Sequence, residues 1–218
     1  MPGLRTRAGV LGALAAALTT LSVTPAMATT PTAAVIAPKP ATAADAVNPN
    51  VILSIAERPD VGAPWTDRQA KSKADTLPCG VYERPTGADA GLTYFHQATN
   101  YWGWDTALVF PTAAKADAAY RQYQADLLTC EDRNPETEYP AMYIKDLRQV
   151  DTEDGVPVYK ALSNPSGYPG AGYQFAVVRQ GRVLYSLVTW DQRWTEHPTV
   201  EFGPAIRNIK NRIATYYP

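Results

Sequence analysis

The stretch from Pro111 to Cys130, PTAAKADAAYRQYQADLLTC, constrains the fold more than any other part of the chain. It follows an apolar run, Asp105 to Phe110, that reads as a strand. Thr112 stands where its hydroxyl can accept one of the first unpaired N–H groups of a helix. Ala116, Tyr120, Tyr123, Leu127 and Cys130 then recur at spacings of 4, 3, 4 and 3, the stripe of an amphipathic helix. Such a stripe needs an apolar sheet face to lie on, and it ends on one of only two cysteines.

The remaining elements follow from pattern and punctuation. Val51 to Glu57 is a short apolar run, a helical turn or an edge strand, and Trp65 to Ala74 reads as a short polar helix. Leu92–Ala98 and Tyr101–Phe110 are rich in Tyr, Phe, Trp, Thr and Val and are expected as strands joined at Thr99-Asn100. Ala141–Val150 and Val156–Leu162 are expected as strands around the acidic turn Asp151–Gly155. Ser163 to Gly172 is a long Pro/Gly loop. Tyr173–Arg179 and Arg182–Trp190 form the clearest hairpin, with its turn at Gln180-Gly181. Pro204 opens a last helix whose stripe is Ile206, Ile209, Ile213 and Tyr216. Hairpin-linked strands and two one-sided helices predict an α+β fold, a two-layer sandwich. Its mainly antiparallel sheet has about six strands, with both long helices on one face.

The N-terminus points out of the cytoplasm. Arg5 and Arg7 precede an apolar run, Val10 to Val23, and Ala26-Met27-Ala28 has the small-x-small pattern of a cleavage site. The expectation is a signal peptide over 1–28, a disordered Ala/Thr/Pro tether over 29–50, and a single domain over 51–218, secreted after cleavage near Ala28. The formal charge of −1 loses two positive charges with the leader, too small a balance to favour nucleic acid. No later segment is apolar enough for a membrane span, and a monomer is expected. In an exported chain, two cysteines read as one disulfide, Cys79 to Cys130. Closing a loop of that length contributes about 4 kcal/mol in the chain-entropy view.

Catalytic patterns are sparse. There is no G-x-S-x-G elbow, both cysteines are committed, and His96 and His197 stand far apart in sequence. Two histidines at that separation do not make a zinc site, so no metal and no cofactor are expected, nor any catalytic residue. Asp105, Asp191 and Glu196 lie near aromatics and would be the carboxylates of a carbohydrate or cell-wall hydrolase, the alternative reading. The aromatic residues are the strongest signal: Tyr101, Trp102 and Trp104 around one turn, Trp190 and Trp194 around another. Trp102 and Trp104 share a strand face. These five are the candidate ligand-binding residues, at the mouth of a cleft beside the sheet.

The order of landmarks carries a resemblance. VILSIAERPDVGAPW precedes a loop cysteine; GWDTALVFPTAAKADAAYRQYQADLLTC follows, and later AVVRQGRVLYSLVTW. That succession is similar to the PknH-like extracellular sensor domain family, found on bacterial receptor kinases and as free secreted proteins. The resemblance implies a two-layer α/β domain with a cleft for a ligand, and no catalytic residue. The kinase sensors carry two disulfides, whereas this chain has cysteines for one. It also lacks a kinase domain and a lipid-anchor cysteine, so no signalling role carries over. The expected function is a secreted, non-enzymatic, sensor-like domain whose partner is an unknown small molecule or cell-envelope component.

Overall fold

The computed structural model describes residues 47–72, 87–130, 144–163, 171–191 and 200–218, all within one compact unit. Two single 3-10 turns, Pro49–Val51 and Ile55–Glu57, come first. Strands β1 (Thr66–Ser72), β2 (Ala90–Ala98) and β3 (Tyr101–Val109) follow, then helix α1 (Ala113–Leu127). Strands β4 (Ile144–Glu153), β5 (Val156–Ser163), β6 (Ala171–Gln180) and β7 (Val183–Asp191) lead to helix α2 (Gly203–Tyr216). The strands form one sheet in the order β1-β2-β3-β7-β6-β5-β4, every neighbouring pair antiparallel. The chain leaves the sheet after β3, re-enters at the far edge as β4, and returns strand by strand until β7 closes against β3.

Turn chemistry sets the registers. Asp154 and Gly155 both have positive φ, 51° and 73°, as a tight two-residue hairpin loop requires. The β6–β7 register puts Gln180 opposite Val183, so that turn is Gly181-Arg182, one residue later than Gln180-Gly181. Gly181, at φ 53°, thereby takes the first turn position.

The α+β class, the antiparallel sheet and two long helices packed on it are as expected, with seven strands among the described residues. The helices, however, take one face each. Helix α2 buries Ile206, Ile209 and Ile213 with Ala107, Val109, Ala176, Val178, Val183, Tyr185 and Leu187. Helix α1 buries Ala116, Tyr123 and Leu127 with Leu108, Phe110, Phe175, Val177, Leu184 and Val188. The two sets alternate along β3, β6 and β7, and successive strand side chains point to opposite faces. A central strand that is apolar on both faces needs a cover on each, so the expected two layers become three.

Helix ends behave largely as the pattern predicts. The Thr112 hydroxyl accepts from Lys115 N at 3.2 Å. In α2 the stripe ends at Ile213; Tyr216 is outside and Tyr217 is buried in its place. The Glu153 carboxylate accepts from Phe202 N at 2.8 Å and Gly203 N at 2.5 Å, satisfying orphan donors at the start of α2.

Two expectations near the N-terminus need correction. Residues 66–72 of the stretch read as a helix are edge strand β1, from Thr66 to Ser72. A helix that short is marginal alone, and pairing with the free edge of β2 gives its backbone partners instead. The tether expected through Asn50 gives way by residue 47: Val47, Val51, Ile52 and Leu53 join the core under α2. Asn48 N donates to the Tyr217 hydroxyl at 2.8 Å, and Leu53 N to the Tyr185 hydroxyl at 3.0 Å. Arg212 of α2 holds the same strap, pairing with Glu57 and donating to Asn50 O, each at 2.5 Å. Residues 1–46, with the expected signal peptide and most of the tether, lie outside the described residues.

Candidate functional site

Beyond the N-terminal end of α2, the sheet face it covers changes from apolar to polar. The registers align one row of side chains across six strands: Arg148, Lys160, Gln174, Thr189, Gly103 and His96. The next row outward is Leu162, Gly172, Asp191, Tyr101 and Ala98. These two rows divide into a filled half and an open half.

The filled half holds Arg58. The strap carries this guanidinium onto the sheet over Gly103, where a Cβ would stand 2.2 Å from its Nη2 atom. A glycine inside a strand marks such a close approach. Arg58 Nη1 meets Asp105 Oδ2 at 2.5 Å, and Nη2 donates to Val188 O at 3.2 Å. His96 Nε2 stands 3.1 Å from the same Asp105 oxygen. Both Arg58 and Asp105 side chains are fully buried. Trp65 covers the guanidinium at 4.5 Å, its own Nε1 donating to Pro59 O at 2.8 Å. Trp65 in turn packs with Ala98 and Tyr101. Burial and the nearby Asp105 charge push the Tyr185 hydroxyl well above its usual range, so it stays a neutral partner for Leu53 N.

The open half is a cavity of about 650 Å³, lined among others by Arg148, Lys160, Gln174, Thr189, Asp191 and Tyr101. Its floor is strand, which fixes the positions of its side chains, and Gly172 lines it without one. Gln174 is committed to structure: it donates to Val200 O at 2.5 Å and accepts from Val200 N at 3.0 Å. That pair pins the approach to α2 as one wall. Burial lowers the Lys160 ammonium below its ordinary range, and the Arg148 charge opposite it adds to the effect.

The five aromatic candidates divide between faces. Tyr101 is buried and lines the cavity. Trp102, Trp104 and Trp190 are half-buried on the α1 face instead, because they alternate with Tyr101, Gly103 and Asp191. There Phe95 and Trp104 meet at 6.5 Å, Trp104 and Tyr173 edge to face at 5.8 Å, and Tyr173 stacks on Trp190 at 6.1 Å. Trp194 lies outside the described residues, as do Glu196, His197 and most of the Ser163–Gly172 loop. Cys130 is buried at the end of α1 and is not a free thiol; Cys79 is outside the described residues.

Of the carboxylates in the hydrolase reading, the two among the described residues, Asp105 and Asp191, do not converge. Asp105 faces Leu187, and Asp191 lies four residues further along β7. At about 3.3 Å per residue they are about 13 Å apart along the strands, beyond the separation glycosidases use. Asp105 is moreover sealed in its pair with Arg58. Among the described residues no cluster of His, Cys, Asp or Glu could hold a metal ion. Sequence reasoning missed Arg58 in the filled half, and Lys160 and Gln174 in the open half. The signal for Arg58 was Gly103, set between two tryptophans in a strand.

No family model and no curated protein matches the chain. Among solved structures, the extracellular domain of PknH from Mycobacterium tuberculosis is similar, with a TM-score of 0.43 and 13% sequence identity. The match covers 70% of this chain and 79% of that one. No helix among the described residues is long and apolar enough to cross a membrane.

Proposed function

We propose that the chain is a secreted, non-enzymatic binding domain, monomeric, that takes a small polar ligand from its surroundings in the cavity of β4–β7. The observation that carries this reading is the cavity itself: about 650 Å³, the size of a small-molecule site, on a strand floor with polar groups of both charge signs. The separation of Asp105 from Asp191 supports binding over glycoside hydrolysis. Export rests on Arg5, Arg7 and Ala26-Met27-Ala28, and the Cys79–Cys130 bridge on there being two cysteines, with Cys130 not free. Nothing in the reading requires a cofactor.

The test is a screen of sugars, cell-wall fragments and lipids against the exported protein, read by amide spectra. A ligand should shift residues 172–174 and 189–191 saturably, and Tyr101→Ala should weaken it at least tenfold. Shifts confined to the aromatic run of the α1 face, or none with any probe, would overturn the assignment. Peptide mapping of the exported protein should find Thr29 first and one bridged cysteine pair; Met1 intact or two free thiols would refute those parts.

A further inference from the structure

We propose that the cavity takes a linear, uncharged ligand laid across the strands, the end of a glycan chain of about four sugar units. This rests on the binding reading above and adds the ligand's class and direction. The lining comes from five neighbouring strands: Arg148 on β4, Lys160 on β5, Gln174 on β6, Thr189 and Asp191 on β7, and Tyr101 on β3. Four strand spacings separate β4 from β3, which makes a trough about 19 Å long. A volume of about 650 Å³ over that length leaves it one extended chain wide. A sugar unit repeats along its chain at about the spacing of strands in a sheet, so about four units fill the trough. Its two ends differ. At β3, Tyr101 packs against Trp65, and Arg58 lies over Gly103 beyond it, so the row is stopped there. At the other end β4 is the last strand among the described residues, and Asp146 and Arg148 are exposed on it. The chain end therefore seats at Tyr101, and the rest of the chain leaves over β4.

Two features of the lining select this class. Its described charged side chains are two cations, Arg148 and Lys160, and two carboxylates, Asp146 and Asp191. A charged ligand is matched by a surface of the opposite sign, and this one has no net sign to offer. The same groups, with Thr189, present both donors and acceptors, and a sugar hydroxyl answers either because it can donate and accept. An extended peptide is a poorer fit. The backbones of β5, β6 and β7 are paired on both sides, so a chain crossing them finds no free edge to join. A peptide's own amides would lie in the trough without ladder partners, whereas a glycan chain has no amide backbone to satisfy.

The test is a length series of cello- and chito-oligosaccharides, from the single sugar to the hexamer, with tetraalanine and tetragalacturonate as peptide and anionic controls. Each is titrated into the exported protein and read by amide shifts. For at least one series, affinity should rise at least tenfold from the single sugar to the tetramer and stay level to the hexamer. It should change by less than about twofold between about 0.05 and 0.5 M salt, as befits an uncharged ligand. The tetramer should shift residues 101–103 and 146–148 together. In Arg148→Ala, at the exposed end, the plateau should come one unit earlier, and Tyr101→Ala should do the same from the closed end. Arg148→Ala carries this arm if Tyr101→Ala does not fold. A single sugar bound as tightly as the tetramer, or a hexamer excluded, would overturn the chain-end assignment and leave the binding reading standing. Tighter binding of tetraalanine or tetragalacturonate would overturn it in the same way. If neither series shifts these residues while another compound of the screen does, the glycan assignment alone falls; if no compound does, the binding reading falls with it.

Discussion

The two faces of the sheet solve the same burial problem with different chemistry. On the α1 face the cover is apolar and aromatic: Phe175 stacks on Tyr159 at 5.5 Å, and the run from Phe95 to Trp190 continues beyond the helix. A buried polar contact there is a neutral one, Thr93 to Thr106 at 3.0 Å. Burial and the neighbouring Tyr159 and Tyr120 hold the Tyr123 hydroxyl well above its usual range, so it too stays uncharged. On the α2 face, isoleucines cover one end, and at the other a charged side chain from a separate segment fills the gap. The first arrangement tolerates repacking, since area and shape are what it needs. The second depends on individual atoms, because a buried charge that loses its partner has nothing to replace it. The cavity belongs to the second arrangement.

That contrast can be broken most sharply at Asp105. Asp105→Ala should destabilise the domain by about 3–5 kcal/mol, since Arg58 would remain buried without its partner. Replacing both at once, with Arg58→Met and Asp105→Leu, should cost far less. Urea unfolding of the two singles and the double checks this; equal and additive losses would mean the pair is not coupled. Gly103→Ala comes next, at about 1–3 kcal/mol by overpacking. Its new methyl meets Arg58 Nη2 at 2.2 Å and Val188 O at 2.8 Å, and the second of these is backbone. If Gly103→Ala melts with the parent, the guanidinium is not seated where described.

On the opposite face, Phe175→Leu should cost about 1 kcal/mol and keep two-state unfolding, a direct measure of the tolerance claimed for it. The smallest effect is at Glu57. Burial raises its carboxyl pKa, but hydrogen bonds from Arg212 and Ser54 and the Arg212 charge outweigh it, leaving a net lowering. A lowered folded pKa adds stability that is present above about pH 4.5 and is lost as pH falls through the folded value. Glu57→Gln should therefore cost about 0.5–1 kcal/mol at pH 7, and the gap to the parent should close in acid. A constant gap from pH 7 to pH 3 would show that charge plays no part.

How much of this was legible in the sequence follows from the range of each interaction. Helix α1, its Thr112 cap and the stripe to Leu127 were readable because period and cap are local. The three hairpins were readable for the same reason, with a one-residue error at Gly181 because either neighbour can share a two-residue turn with it. The assignment of helices to faces was not, since a helix stripe says only that some apolar surface is needed. The alternation in Ala107-Leu108-Val109-Phe110 held that information: apolar residues of both parities mean a cover on both sides. The candidate site was less legible still. Arg148, Lys160, Gln174 and Thr189 are scattered along the sequence and meet only through strand order, which no local pattern encodes. Tyr101, which lines the cavity, was singled out for its aromatic neighbours, and those described, Trp102, Trp104 and Trp190, point to the other face.

The strap has a consequence for chain connectivity. Asn48 N lies 2.8 Å from the Tyr217 hydroxyl, so the first and last parts of the folded body are side by side. The loop Asp154-Gly155 is exposed on an outer hairpin. A circular permutant that joins residue 218 to residue 47 through a short glycine linker, and opens between 154 and 155, would preserve every strand pairing except the connection of β4 to β5. The order in which the seven strands are synthesised is thus separable from the order in which they pair.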